Sequence, residues 1–357
     1  MKSQPLGVGL IGMGYAGTLH APAVLSLPEA RLLAVADVDR KRFIDAAAHG
    51  VKATFMDYRE LLEFPGIDVV GILTPPASHL EITLAAMEAG KHVVLEKPIT
   101  ATLEDAVLLL EKSRRYNLRI CVAYNLRFLR SVRELRQLLQ RGRLGEVEIL
   151  HCLASTPQML TLEGPEHRRN RTLGGGSVIE LGVHHYDLWS HLLGSQVAEV
   201  SGVSRNISMH DQSSVICGRM TCGALVNTCI SLCAAEQYEV EVLGSKARAG
   251  GSLYRYDGLE TVETHHLAGS PGVRAAGVLR AISHLPAALR ARKHGGTFLE
   301  SYRELWRHML NAVSQDLIPE PGLADGVESL AVAVAASTAT RERKTIRVQE
   351  VWGRRDG

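Results

Sequence analysis

The chain has 357 residues, 46% of them hydrophobic, with 40 Lys and Arg against 38 Asp and Glu and a formal net charge of +2. That length suggests about two domains of ~150 residues each, enough to bury a real core. The near balance of charge offers no electrostatic case for a nucleic acid or membrane partner, and no run approaches the ~20 apolar residues of a membrane helix.

Lys2 followed by the apolar run Leu6 to Ile11 could open a signal peptide. Gly7 and Gly9 interrupt it, it leads into a glycine motif, and no small-residue cleavage site follows, so a first strand is expected. The six cysteines (Cys121, Cys152, Cys217, Cys222, Cys229 and Cys233) form no CxxC pair. Four of them lie in a strand-like segment, 213–233, where buried thiols are expected over a zinc cluster. A reducing, cytoplasmic setting is the corresponding expectation.

The first third alternates between apolar runs and amphipathic helical patterns. The runs are "VGLIG" (8–12), "RLLAVAD" (31–37), "VVGILTP" (69–75), "HVVLEKP" (92–98) and "RICVAYN" (119–125). Helical patterns occupy 15–27, 40–48, 57–63, 79–89 and 102–115. Continuous apolar strands separated by such helices imply an α/β, doubly wound parallel sheet. After Asn125 the pattern changes. A helix is expected over 128–140, then strands at 146–154, 197–205, 213–221, 224–233 and 238–244. This reads as an α+β domain with a large, mostly antiparallel sheet. The expected domains are therefore 1–125 and 126–357.

From Thr264 to Leu299 there is no acidic residue, while Arg274, Arg280, Arg290, Arg292 and Lys293 are basic. The segment reads as helix, a break at Pro286, and helix again. A solvated or oligomer-facing insertion is expected. A basic arm near a phosphate-bearing substrate is the sharper alternative.

The first strand ends in Gly12-x-Gly14-x-x-Gly17, with Met13, Tyr15 and Ala16 between, and a helix follows. A dinucleotide site needs glycines in that context. One makes the tight turn, one admits the pyrophosphate, and one lets helix and strand pack closely. Asp37 ends the second strand, 25 residues past Gly12, placed for the adenosine ribose hydroxyls. Its carboxylate repels a 2′-phosphate and so favours NAD over NADP, with Arg40 nearby as the contrary sign. Thr74, Pro75 and His79 follow the third run, at the carboxyl edge where such sheets bind ligands. Glu96-Lys97-Pro98 ends the fourth at the same edge, with Lys97 held extended before proline.

With "GMGYAGTLH", "ADVD", "TPPASHLEITLAAMEAGKHVVLEKPI", "AYNLRF", "GGGSVIELGVHHYDL" and "GLADGVESLAVAVAASTATRERKTIRV" in view, the sequence resembles the Gfo/Idh/MocA oxidoreductases, typified by glucose–fructose oxidoreductase and inositol dehydrogenase. The likeness covers nearly the whole chain except the basic insertion. It implies an NAD(P)-binding Rossmann domain followed by a substrate-binding domain with an open sheet. It also implies assembly into homodimers or homotetramers through that sheet, with 213–233 as the contact. The family's lysine falls on Lys97 and its histidine on His184. The family's D-x-G-x-H reads "ELGVH" here, so Glu180 stands at the aspartate and reaches the substrate, Lys97 or His184. The substrate-binding aspartate falls on Asp187. Asn125 and Arg127 fall in the wall of the expected crevice, and Glu96 beside the cofactor.

The implied reaction is hydride transfer between nicotinamide and a hydroxyl or keto carbon of a sugar, cyclitol or nucleotide-sugar. Loss of the hydroxyl proton needs a base within reach, which suits His184. Lys97 stabilises the reacting oxygen. An NAD-assisted glycoside hydrolase and a non-catalytic sugar or NAD sensor are the alternatives on the same scaffold. Arg168, Arg169 and Arg171 precede the glycines and suit a phosphate or carboxylate, or else a solvated loop. Glu180 and His184, at i and i+4, share a helix face that would suit two metal ligands. No matching cluster accompanies them and hydride transfer needs none, so no metal is expected.

Overall fold

A computed structural model describes residues 4–43, 46, 51, 53–161, 175–255, 258–266, 269–293 and 296–352. The chain divides into two units, Met1–Asn125 with Leu299–Glu328, and Leu126–Phe298 with Ser329–Gly357.

The first unit is built on a parallel sheet of six strands. These are β1 (Leu6–Ile11), β2 (Ala30–Ala36), β3 (Ala53–Phe55), β4 (Val69–Ile72), β5 (His92–Leu95) and β6 (Ile120–Val122). Their order is β3-β2-β1-β4-β5-β6, the doubly wound arrangement of dinucleotide-binding domains. β1 and β4 are buried almost throughout, as strands covered on both faces must be. The helices α1 (Tyr15–Leu25), α2 (Tyr58–Glu63), α3 (His79–Glu88) and α4 (Leu103–Ser113) alternate with the strands. α4 shows why they start where they do. The Thr102 hydroxyl accepts the Asp105 amide at 3.1 Å, and Glu104 and Asp105 occupy the first turn, which caps the helix and opposes its positive end. Its Leu103, Ala106, Val107 and Leu109 are buried.

Two expectations shift here. β3 is a three-residue edge strand that the sequence does not advertise. The helix expected over 40–48 opens with a 3-10 turn, Arg40–Arg42, Phe43 and Ala46 are α-helical as expected, and residues 44, 45, 47 and 48 lie outside the described residues.

The second unit carries an eight-stranded sheet. Its strands are β7 (Val147–Ser155), β8 (Val197–Arg205), β9 (Ser213–Met220), β10 (Leu225–Ser231), β11 (Gln237–Gly244), β12 (Ala247–Ser252), β13 (Glu260–Glu263) and β14 (Ile346–Arg347). The order is β13-β12-β11-β7-β10-β9-β8-β14. Among the described strands only the β7–β10 pair is parallel. Before the sheet comes α5 (Arg130–Gln140); within the run come α6 (Ser177–Glu180) and α7 (Gly182–Leu193), then α8 (Pro271–Lys293). Two long helices, α9 (Gly296–Ser314) and α10 (Leu323–Glu342), lie near the end of the chain.

Two further expectations are corrected. Pro286 lies inside one continuous helix, α8; a proline removes a single ladder donor and need not end a helix whose other bonds persist. The cysteines of 213–233 are not buried thiols: Cys217 and Cys222 are exposed, Cys229 and Cys233 half-buried. Alternation along β9 buries Ile216 and turns Cys217 outward. Only Cys121 and Cys152 are core residues.

Candidate active site

All six strands of the first sheet are parallel, so the turns after β1, β2, β4 and β5 gather at one edge. The glycine turn is the first. Gly12 has φ +96, and a Cβ there would lie 2.9 Å from the Leu73 carbonyl oxygen, so only glycine fits. A Cβ on Gly17 would lie 2.9 Å from the Gly12 carbonyl oxygen, which is the close packing of α1 on its turn. Gly14 differs: a Cβ there would meet nothing within 4 Å. Protein packing does not require that glycine, whereas a pyrophosphate lying over the turn does. The residues therefore fit a dinucleotide.

Asp37 is tied into the same turn. Its Oδ2 accepts the Met13 amide at 2.6 Å and its Oδ1 accepts the Asp39 amide at 2.9 Å. The carboxylate is thereby oriented at the end of β2, with acceptor capacity remaining for ribose hydroxyls. Thr74 and Pro75 follow β4, and the Ser78 hydroxyl donates to Thr74 Oγ1 at 2.8 Å. His79 is wholly buried, its Nε2 2.7 Å from the Thr74 carbonyl oxygen and its Nδ1 3.0 Å from that of Pro98. It links the loop after β4 to the loop after β5, and burial holds its pKa below the usual histidine value.

Glu96 and Lys97 follow β5 directly, and the Lys97–Pro98 peptide is cis. Glu96 is buried among named partners: Oε1 lies 2.9 Å from His20 Nε2, and Oε2 accepts the Lys97 amide at 3.0 Å. Behind it, the Trp306 indole donates to His20 Nδ1 at 3.0 Å. An indole N–H only donates, so Nδ1 accepts and the His20 proton sits on Nε2, aimed at Glu96. Burial alone would raise the Glu96 pKa; the His20 hydrogen bond and the Lys97 charge outweigh it and hold it below the usual carboxylate value. Lys97 is half-buried beside this fixed carboxylate. His20 and Trp306 have no counterpart among the expected site residues. Asn125 is buried at the end of the unit's first segment, its amide donating to Ser301 Oγ at 2.9 Å.

The second unit holds the other candidates. The chain enters α6 through Gly176, at φ +86, where a Cβ would lie 3.0 Å from the His210 carbonyl oxygen. The Ser177 amide donates to the Asp211 carbonyl at 2.9 Å, and Ser177 and Ser214 hydroxyls meet at 2.9 Å. A turn between Glu180 and Gly182 separates α6 from α7, so the expected single helix is two. Across 177–189, only Glu180, Leu181 and His184 escape burial. The two titratable ones stand one turn apart.

His185 points away, buried, with Nδ1 2.5 Å from Thr228 Oγ1, and burial pushes its pKa down to about 3. Asp187 is buried against Arg127. Nε donates to Oδ2 at 2.8 Å and Nη2 to Oδ1 at 2.5 Å, a bidentate pair. Arg168, Arg169 and Arg171 lie outside the described residues.

Two family models match parts of this chain. The Gfo/Idh/MocA oxidoreductase model, an NAD-binding Rossmann fold, matches residues 6–124, and the C-terminal domain model of the same group matches 132–249. The chain belongs to the Gfo/Idh/MocA oxidoreductase family. Among similar proteins is a myo-inositol 2-dehydrogenase of Thermotoga maritima, 25% identical over 354 residues, spanning 97% of this chain and 99% of that one. A dTDP-3,4-didehydro-2,6-dideoxy-alpha-D-glucose 3-reductase of Saccharopolyspora spinosa is 32% identical over 222 residues, 59% of this chain and 65% of its own. Among solved structures, a levoglucosan dehydrogenase in complex with NADH and levoglucosan superposes with TM-score 0.82 at 20% identity, covering 97% of this chain and 100% of that one. At that identity the likeness speaks for the fold. This Gfo/Idh/MocA member therefore has the family's two-sheet architecture and is an NAD-binding oxidoreductase. Among the described residues no helix is long and apolar enough to cross a membrane.

Proposed function

We propose that this enzyme is an NAD-dependent dehydrogenase or ketoreductase acting on a CH–OH carbon of a sugar, cyclitol or nucleotide-sugar. The observation that carries the reading is the carboxyl edge of the first sheet. It sets Lys97, beside the fixed Glu96 carboxylate, on the same edge as the Gly12–Gly17 turn and Asp37. Relatives named as inositol and levoglucosan dehydrogenases support the substrate class.

NAD would be held by the Gly12, Met13, Gly14, Tyr15, Ala16 and Gly17 turn, by Asp37, and by the Thr74–Pro75 loop that His79 braces. When bound, nicotinamide supplies the hydride acceptor or donor. The work of the chain's own residues is positional and protonic. Asp37 takes the ribose hydroxyls and disfavours a 2′-phosphate, hence NAD over NADP. Lys97 donates a hydrogen bond to the reacting oxygen and stabilises its negative charge. His184 takes the hydroxyl proton in oxidation and returns it in reduction. Glu180, one turn before it, orients His184 or meets the substrate. Asn125 and Arg127 bind substrate hydroxyls, and Asp187 enters through Arg127, whose guanidinium it clamps. Arg168 extends recognition to phosphate or carboxylate groups.

Assembly into a homodimer or homotetramer through the second sheet belongs to the same proposal. One face of β8–β10 presents exposed Val203, Val215 and Leu225, and such apolar patches are usually covered.

The test is a panel of cyclitols, sugars and nucleotide-sugars read by NADH formation, with NAD and NADP in parallel. Turnover of a polyol or sugar with stoichiometric NADH supports the proposal. Glycoside cleavage without net NADH would replace it with the hydrolase.

A further inference from the structure

α8 presents a surface that hydride transfer does not use. Val278, Leu279, Ile282, Leu285 and Leu289 are each more than half exposed. At ~100° per residue, Val278, Ile282, Leu285 and Leu289 fall within about 60° of one another, with Leu279 on their flank. The stripe from Val278 to Leu289 is about 17 Å long at 1.5 Å per residue. Five large aliphatic side chains in one exposed row are not the scattered hydrophobics of an ordinary surface.

The other side of the helix is anchored. His284 lies roughly 100–160° around from the stripe, and it packs on Gly258 so closely that a Cβ there would sit 2.6 Å from Nε2. His284 and Gly258 border a small cavity with Arg130, Leu253, Arg255 and Thr297. The helix is thus fixed to its unit by one face and offers the aliphatic face outward.

Charge says what covers it. Between Glu263 and Glu300 the chain has no acidic residue, and it has Arg274, Arg280, Arg290, Arg292 and Lys293. The whole-chain net charge of +2 hides this concentration. A second copy laid helix to helix would bring two such segments together, and like charges oppose that pairing. A protein partner would favour aromatic anchors, yet α8 has no Trp, Tyr or Phe. Aliphatic residues on one side of a helix, with Arg274 at their edge and no acidic residue in the segment, suit the boundary of an anionic bilayer.

We propose that α8 docks this enzyme peripherally onto anionic lipid surfaces, with Val278, Ile282, Leu285 and Leu289 entering the headgroup region and Arg274 at their edge meeting lipid phosphates. The helix lies on the surface and does not span it.

Flotation of the purified full-length protein with vesicles tests this. One set is phosphatidylcholine alone; the other is phosphatidylcholine mixed with phosphatidylglycerol. The expected result is binding to the anionic set that weakens with added salt, and at least about tenfold weaker binding to the neutral set. Ile282→Ser with Leu285→Ser should cut anionic binding by about tenfold or more. Arg274→Gln, at the edge of the stripe, should cut it by about fivefold, whereas Arg280→Gln, on the anchored side of the helix, should leave it within about twofold. Circular dichroism and urea midpoints of these surface variants should match the parent. Absence of the parent from the floated fraction would overturn the proposal, as would equal flotation of the serine variant. A serine variant that changes the molecular mass by light scattering, with no vesicle binding by the parent, would assign the stripe to a second copy.

Discussion

The Trp306 indole and the His20 imidazole, 286 residues apart in sequence, form a 3.0 Å hydrogen bond that decides where the His20 proton sits. The bond has a direction. Nδ1 must accept, so Nε2 must donate, and its partner is Glu96. Glu96 in turn accepts the amide of Lys97. The line from a late helix to the candidate lysine is therefore continuous, and it lies wholly within the first unit.

Trp306→Phe keeps an aromatic ring, smaller than indole, and removes the donor. His20 is then free to change tautomer, and the Glu96 carboxylate loses its fixed partner. Turnover should fall severalfold with NAD affinity within about twofold of the parent, and stability should drop by roughly 1–3 kcal/mol for a lost buried hydrogen bond. A shifted pH–rate profile separates this from simple loss of packing. An unchanged profile with unchanged kcat would leave the network a purely structural one.

Lys97→Ala and His184→Ala should each lower kcat by about 10²–10⁴-fold, the range for removing a positioned proton-transfer or oxyanion group. NAD binding, followed by fluorescence titration, should persist in both. Turnover close to the parent in either variant would remove that residue from the proposed chemistry. Glu180→Asp restores the carboxylate length common in the family; a raised kcat would place Glu180 against His184, while a changed KM alone would place it against the substrate.

Asp37→Ala removes the acceptor for the Met13 amide together with the ribose ligand. NAD should bind about tenfold more weakly, the scale of a lost charge-assisted hydrogen bond. The preference over NADP should narrow as the repulsion of a 2′-phosphate disappears. Isothermal titration with both dinucleotides measures the two affinities, and an unchanged ratio would remove Asp37 as the selectivity determinant.

Arg127 and Asp187 are buried and bidentate. Breaking one side leaves an uncompensated charge, so Asp187→Ala should cost about 3–5 kcal/mol in urea unfolding. The double change Arg127→Met with Asp187→Leu should recover much of that stability, because a well-packed apolar pair can replace a buried ion pair. Recovery of stability without recovery of turnover would show that the Arg127–Asp187 pair serves the substrate as well as the fold.

The elements legible in the sequence are those whose burial is complete or whose alternation is regular. β1 and β4 are near-continuous apolar runs between turn residues, and β7 to β11 carry β-branched residues in strand-length stretches. β3 is three residues at an edge, and β12, "ARAGGS", has two glycines and no β-branched residue; neither has a periodicity to read. The glycine turn and the Glu96-Lys97 pair announce themselves because local backbone demands fix their residue types. Partnerships do not. Nothing local says that Asp187 takes Arg127 or that His20 takes Trp306, because such pairs are set by tertiary packing. The aliphatic stripe of α8 is obscured for a related reason: Pro286 reads as a break, and only a continuous helix lines Val278 up with Leu289.

Acid should destabilise the fold through the buried His185 and the half-buried His191. Burial holds His185 at about 3, and burial with the charges of Arg127 and Arg136 holds His191 at about 3. An unfolded histidine titrates near 6.5. Between those values the unfolded chain binds protons that the folded chain refuses, so stability is full above about pH 6.5 and is lost as pH falls towards 3. Each such histidine should contribute a slope of up to about 1.4 kcal/mol per pH unit in that window. Urea midpoints taken at intervals from neutral pH downward measure it. His185→Gln keeps a polar partner for Thr228 without the titration, and should shallow the acid slope by about that amount while leaving the neutral end lower by only the packing change. An acid slope identical in parent and variant would show that His185 protonates in the folded state without penalty, and that its burial is incomplete in solution.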